Sequence, residues 1–261
     1  MYLLDHPAVL FAVTCIVLLL AHEFGYRLRA LAAHRDDRDW QKEVRETRGQ
    51  IAVLLSLLLG FAMAMGLSRF DERKKLVADE ANAIATAYQR AAMQAEPVRS
   101  RAPSLLHDYL KARIAIFSLA RGNGEQQSAM EQSRAIQQAL WSDAVAVAQQ
   151  NQTPIVALYA QSLNMLFDVD GERVEATLNR IPVDIWLLLG FLAALTSLVV
   201  GYGQRHRSWF ATFIPVLMVA ISISLIADLD TPASGFIQIN QHSLQSLRAE
   251  LQLLPGDAQA H

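Results

Sequence analysis

Four apolar stretches interrupt an otherwise polar chain, from about Pro7 to Phe24, Ile51 to Ser68, Ile185 to Gly203 and Trp209 to Ala227. Each has roughly 17–20 residues, which at about 1.5 Å per residue matches the roughly 30 Å hydrocarbon core of a bilayer. None contains Lys, Arg or Asp, and Glu23, at the end of the first, is the only charged side chain among them. The pattern predicts four transmembrane helices.

The polar stretch between the second and third spans predicts more helix. From Ser68 to Gln94 there is no Pro or Gly and Ala is abundant, so the second span is expected to run on as one long helix, broken at Glu96-Pro97 and Pro103. Leu105, Leu106, Tyr109, Leu110, Ile114 and Phe117 then recur at helical spacing. Gly122-Asn123-Gly124 predicts a turn, and Glu125 to Gln150 a further helix. Thr153-Pro154 predicts an N-cap and first helical residue. That helix is expected to end at Asp168-Val169-Asp170-Gly171, a turn and cap that lacks the closing Glu of an EF-hand loop, since Asn179 holds the twelfth place. Gln204 to Ser208 is too short for anything but an antiparallel hairpin between the last two spans. After the turn-rich exit Asp228-Leu229-Asp230-Thr231-Pro232, the residues Leu244, Leu247, Leu251 and Leu254 mark one face of a short helix. Its expected place is on the insert or a neighbouring subunit, because Arg248 alone is too little basic charge for a membrane-surface helix.

The fold class expected is therefore an all-α membrane protein, with a helical extramembrane domain inserted between spans two and three. Its divisions are 1–68 for the first two spans and their charged loop, 69–184 for the insert, 185–227 for the hairpin and 228–261 for the tail. No strand pattern or internal repeat is visible.

Composition adds little. Of 261 residues 52% are hydrophobic, and the net charge of −2 points to no nucleic acid. Cys15 is the single cysteine, so there is no internal disulfide and no cysteine-based zinc site. Met1 to His6 lacks Lys and Arg, which predicts a retained span rather than a cleaved signal. Ala12-Val13-Thr14 makes a poor lipoprotein cleavage site. The loop Gly25 to Gln50 carries Arg27, Arg29, Arg35, Arg38, Lys42, Arg45 and Arg48 against Asp36, Asp37, Asp39, Glu43 and Glu46, and its Lys42–Glu46 spacing suits a solvated helix. The last short loop has Arg205 and Arg207. By the positive-inside rule both short loops are cytoplasmic, and the insert and termini periplasmic. Arg69, Arg73, Lys74 and Lys75 argue the other way.

Three groups of residues are candidates for function. In the second span, Gly60–Ala64 and Ala62–Gly66 are small-xxx-small pairs that let helices approach closely, either within the subunit or around a shared axis. With Leu55, Leu58 and Leu59 as apolar gate positions, Gly60, Ala64 and Gly66 make the pore or interface set. Asp71, Lys75, Asp79, Asn82, Thr86 and Arg90 follow at three- and four-residue intervals, a polar stripe that is either a solvated face or a vestibule wall. Asp228 and Asp230 close the fourth span, where the helix end is already partly negative. They call for counter-charge, from Arg69, Arg73 or Arg180, rather than metal, since two carboxylates are too few for a calcium site. There is no phosphate-binding glycine loop, no H-E-x-x-H and no G-x-S-x-G, and the histidines, among them His22 at a membrane edge, are scattered. No enzyme, cofactor or metal is expected, and the absence of ionisable groups within the spans argues against a proton-coupled transporter.

Leu59-Gly60-Phe61, Arg69-Phe70-Asp71-x-Arg73, Asp79-Glu80-Ala81-Asn82-Ala83-Ile84, Tyr88, Arg90, Ile181-Pro182 and Asp228-x-Asp230-x-Pro232-x-x-Gly235-Phe236 resemble the bacterial bestrophin-like domain family, over roughly Gln50 to Asn240. Bestrophins proper are pentameric anion channels with a helical cytosolic body between the second and third spans, and the same span spacing recurs here. The second span differs from a bestrophin pore in having Phe61 as its one aromatic residue before Phe70. The resemblance implies a homo-oligomeric ion channel or pore of the bacterial inner membrane, with the lipid bilayer and small ions as its partners. The alternative is a non-conducting scaffold or sensor whose insert binds another protein.

Overall fold

The computed structural model describes residues 6–31, 38–118, 124–231 and 235–253. The described residues form helices joined by turns: α1 (Pro7–Leu31), α2 (Arg38–Ala91), α3 (Val98–Ser118), α4 (Gly124–Gln150), α5 (Pro154–Leu178), α6 (Val183–Gly203), α7 (Trp209–Asp230) and α8 (His242–Leu253). Arg35, Asp36, Asp37, Gly122, Asn123, Pro232 and Leu254, used in the reading above, lie outside the described residues. The chain divides into two units, Met1–Phe70 with Arg180–Gln238 and Asp71–Asn179 with Ile239–His261.

The first unit holds the apolar stretches, and four segments of the chain are long and apolar enough to cross a membrane. α1 packs on both α6 and α7. Its core is aliphatic, with Leu18, Leu55, Ala62, Leu189, Ala193 and Ile226 all buried. The outward residues are equally apolar. Phe210, Phe213, Ile214, Leu217, Met218 and Ile221 stand exposed on α7, as do Leu187, Leu188 and Phe191 on α6. In water these faces would be a large apolar patch, whereas in lipid they are the required surface. Hydroxyl groups in these helices bond to the backbone, as Thr196 does to Leu192 O at 2.7 Å and Ser222 to Met218 O at 2.9 Å.

The second unit is a helical bundle in which α3 packs on α4 and α8, and α4 on α5. Its buried centre is Ile84, Leu106, Tyr109, Leu140, Tyr159 and Leu163. Leu244, Leu247 and Leu251 join that core, so α8 packs where its apolar face indicated. Thr153 caps α5, accepting from Val156 N at 3.3 Å, with Pro154 opening the helix.

Two expectations fail here. Pro103 lies inside α3 rather than breaking it. It forfeits one backbone bond, to Arg99 O, close to the helix start, while the burial of Ala102, Leu106 and Tyr109 holds the helix together. Likewise α5 runs through Asp168 to Gly171 and ends at Leu178. A glycine within a helix costs only about 1 kcal/mol, and the burial of Leu166, Arg173 and Ala176 carries the helix across it.

Candidate functional site

α2 is one unbroken helix of 54 residues, as its Pro- and Gly-free run after Ser68 indicated. Its two faces differ along their length. Leu55, Ala62 and Gly66, then Arg73, Leu76, Val77, Glu80, Ile84, Ala87 and Ala91, are buried. On the other side Leu57, Phe61, Ala64, Ser68, Asp71, Lys75 and Asn82 are exposed, and Asp79, Thr86 and Arg90 half-buried. These last two groups follow one another at intervals of three and four, so they form a single stripe along the helix. It is apolar up to Ala64 and polar from Ser68 onward.

The sequence-derived pore set is divided between these faces. Leu55 is buried in the first unit's core, with Leu58 and Leu59 packed against it. Gly66 is buried too, and a methyl group on it would come 3.5 Å from Leu229 Cβ of α7. Gly60 and Ala64 are exposed, with nothing within 4 Å of a Cβ at Gly60. Ala62–Gly66 therefore serves packing within the subunit, while Gly60–Ala64 lies open. All six polar-stripe residues are brought to one face, and Arg90 reaches from it to donate to Leu158 O at 2.7 Å.

Behind the stripe lies a charge network. Glu80, 0% exposed, accepts hydrogen bonds from Arg113 Nε and Arg173 Nη1, and Arg113 also pairs with Asp170. Gln137 donates to the second Asp170 oxygen at 2.7 Å, and Arg173 to Gln241 Oε1 at 3.0 Å. The Arg173 guanidinium sits 3.7 Å from the centre of the Phe117 ring. Two buried cations thus face two carboxylates. Burial disfavours the charge on both arginines; at Arg113 the neighbouring Glu80, Tyr109 and Asp170 together outweigh it and raise the pKa, while at Arg173 burial, helped by the charge of Arg113, prevails over Glu80 and lowers it.

Asp228 and Asp230 are both buried. Asp228 accepts from Phe236 N at 2.7 Å and Ile237 N at 2.9 Å, and Asp230 from Ile181 N at 3.0 Å. Backbone N–H groups thus supply part of the compensation these acids need at a helix C-terminus. Among the described residues, no group of three or more His, Cys, Asp or Glu is placed to hold a metal ion.

The Bestrophin-like domain model matches residues 10–244, from α1 into α8. The chain belongs to the bestrophin-like domain family. Its fold matches the crystal structure of a bacterial bestrophin homologue from Klebsiella pneumoniae, with TM-score 0.67 at 14% identity over 93% of this chain and 96% of that one. A mutant form of the same homologue matches with TM-score 0.67 and 14% identity over 94% and 97%. No curated protein sequence matches it closely enough to count as a relative.

This bestrophin-like chain has two constellations that the sequence reading passed over. The Glu80 network joins residues 33 and 93 positions apart, so no local pattern announces it. The other is a stripe on α6, Ala193, Ser197 and Gly201, spaced like the small-residue pairs of α2 and buried against α1. Ser197 donates to Leu18 O at 2.7 Å, and a Cβ at Gly201 would overlap His22 O. His22 itself is held by Thr212 Oγ1 at 2.9 Å and Gln204 Oε1 at 3.3 Å.

Proposed function

We propose that the protein is a homo-oligomeric pore for small ions, with the open face of α2 turned to the common axis. The observation that carries this is the stripe from Leu57 to Arg90 on one helix, exposed from Leu57 to Lys75 and at Asn82 and half-buried at Asp79, Thr86 and Arg90. An apolar stretch that passes into a charged one suits a constriction leading to a water-filled vestibule. Gly60 and Ala64 permit neighbouring copies of α2 to approach closely. On this reading the narrow point falls at Leu57 and Phe61, on the exposed side, rather than at Leu55.

Residues 69–184 form the extramembrane body in this proposal. Both termini and this body lie on the periplasmic side of a bacterial inner membrane, because Arg27, Arg29, Arg45, Arg48, Arg205 and Arg207 cluster in the two short loops. Arg69, Arg73 or Arg180 supplies further counter-charge to Asp228 and Asp230.

Conduction by purified protein in planar bilayers tests the reading. Leu57→Ala and Phe61→Ala should each raise single-channel conductance, while Leu217→Ala, on the exposed face of α7, should not. A monomer in mild detergent would exclude a pore. An oligomer that stays silent with both positions made small would favour the scaffold or sensor. Orientation is read separately in a Cys15→Ser background: an impermeant thiol reagent should label Gln127→Cys but not Glu43→Cys in cells with a permeabilised outer membrane.

A further inference from the structure

The first unit has a small basic cavity at one end. It measures about 110 Å³ and is walled by Arg29 of α1, Trp40, Gln41, Arg45 and Arg48 of α2, and Arg205 just beyond α6. Its described lining has four arginines and no acidic residue. Two walls are fixed in place: Arg29 Nη1 donates to Tyr202 O at 3.2 Å, and the Trp40 ring meets Tyr202 edge-on with centroids 6.2 Å apart. Four arginines around one small cavity make a candidate site for an oxyanion, because planar guanidinium N–H forks match the spacing of phosphate oxygens. The volume selects a small group. It is well below the roughly 300–1,000 Å³ of ordinary ligand pockets, so it takes a phosphate but not a nucleotide.

Depth selects the source. Arg48 stands three residues before Ile51, where the apolar part of α2 begins, and Arg205 stands two residues after Gly203, where α6 ends. The cavity therefore opens at the level of lipid headgroups, with Trp40 and Tyr202 as interfacial aromatics. We propose that it holds the phosphate of an anionic phospholipid from the adjacent leaflet. The inference goes beyond the pore reading and holds for either orientation; its readout is binding, so it stands or falls apart from conduction.

Purified protein in neutral detergent would be titrated with short-chain phosphatidylglycerol, short-chain phosphatidylcholine or inorganic phosphate, following the melting temperature. Phosphatidylglycerol should raise it saturably and at lower concentration than either of the others. Arg45→Gln with Arg48→Gln, both at exposed positions, should weaken that binding by about five-fold for each arginine removed. Arg205→Gln gives the same readout from outside α2 should the double variant fail to fold. Unchanged phosphatidylglycerol binding in the variants, or equal binding of phosphatidylcholine, would overturn the proposal. Inorganic phosphate acting at the same concentration as the lipid would overturn it too, and would make the cavity a site for free phosphate.

Discussion

The backbone of Gly235 lies against the carboxylate of Asp228 so closely that a Cβ at residue 235 would overlap it. The same carboxylate is bound by the N–H groups of Phe236 and Ile237, the two residues after that glycine. The spacing of Asp228 and Gly235 is thus set by one contact, in which the chain after α7 folds back over its last turn. Gly235→Ala should lower the melting temperature by forcing the loop off the carboxylate. Asp228→Ala should also lower it, by leaving two N–H groups without their acceptor, at about 1–3 kcal/mol each if they stay dry. The double variant should be no worse than Asp228→Ala alone, because the clash has gone. Additive losses in detergent melts would show that the two residues act independently.

Glu80 is an acceptor shared by two buried arginines, Arg113 and Arg173, so its charge matters more than its shape. Glu80→Gln keeps the size and removes the charge, leaving Arg113 paired with Asp170 and Arg173 with the neutral Gln241. Breaking a buried pair costs about 3–5 kcal/mol. The loss should appear as a large drop in the urea midpoint, and Glu80→Gln with Arg173→Met should recover part of it by removing the surplus cation. Asp170→Asn should cost less, because that side chain is 19% exposed and water can share its place. Equal losses at the two carboxylates would contradict this ranking.

Tyr109 and Tyr159 are fully buried, and burial raises the pKa of both phenols. At Tyr109 the neighbouring Arg113 works against the shift, while Glu80 and Asp170 add to it. A phenol whose folded pKa is raised contributes stability that is whole below its unfolded pKa of about 10 and is lost as pH rises toward the folded value. Of the six tyrosines, these two should ionise only as the protein unfolds in alkali, seen as a late cooperative step in phenolate absorbance. Tyr109→Phe should shrink that step and move alkaline unfolding to higher pH. A gradual titration of every tyrosine near pH 10 would show that both phenols are reached by water in the folded state.

What was legible in the sequence follows from the range of each interaction. The membrane helices were, because the length of an uncharged run is a local property. The unbroken α2 and its polar stripe were too, since helix periodicity places Asp71, Lys75 and Asn82 on one side without any knowledge of the neighbours. The ends of α3 and α5 were misread where a local breaker, Pro103 or Gly171, was outweighed by burial elsewhere in the bundle. Glu80 stands in the sequence only as part of the Asp79-Glu80-Ala81-Asn82 motif, and its buried role is not legible there because nothing local separates two adjacent acids. Only arginines 33 and 93 residues away decide which of them is buried. Leu55 and Leu57 likewise look alike in sequence, and only packing puts the first inside and the second outside.

The α1–α6 contact gives the sharpest steric test. Gly25 on α1 faces Leu198 O and Tyr202 N of α6, and Gly201 on α6 faces His22 O of α1. Each helix thus presents a bare backbone to the other, and the two glycines act reciprocally. Without water to drive association, such close approach is a main source of helix adhesion in a bilayer, through dispersion and short backbone contacts. Gly201→Ala should push the helices apart, stretch the Ser197 bond to Leu18 O and pull His22 from Thr212. The backbone on the far side cannot rotate away as a side chain can, so the cost should reach or exceed the roughly 1–3 kcal/mol of ordinary overpacking. Gly190, on the same helix, has nothing within 4 Å of a Cβ. There alanine should be neutral, or stabilising by up to about 1 kcal/mol through helix propensity. The two variants carry the same chemical change on one helix, so any difference between their detergent melts belongs to the contact. Equal melting temperatures would mean that α1 and α6 do not touch at Gly201.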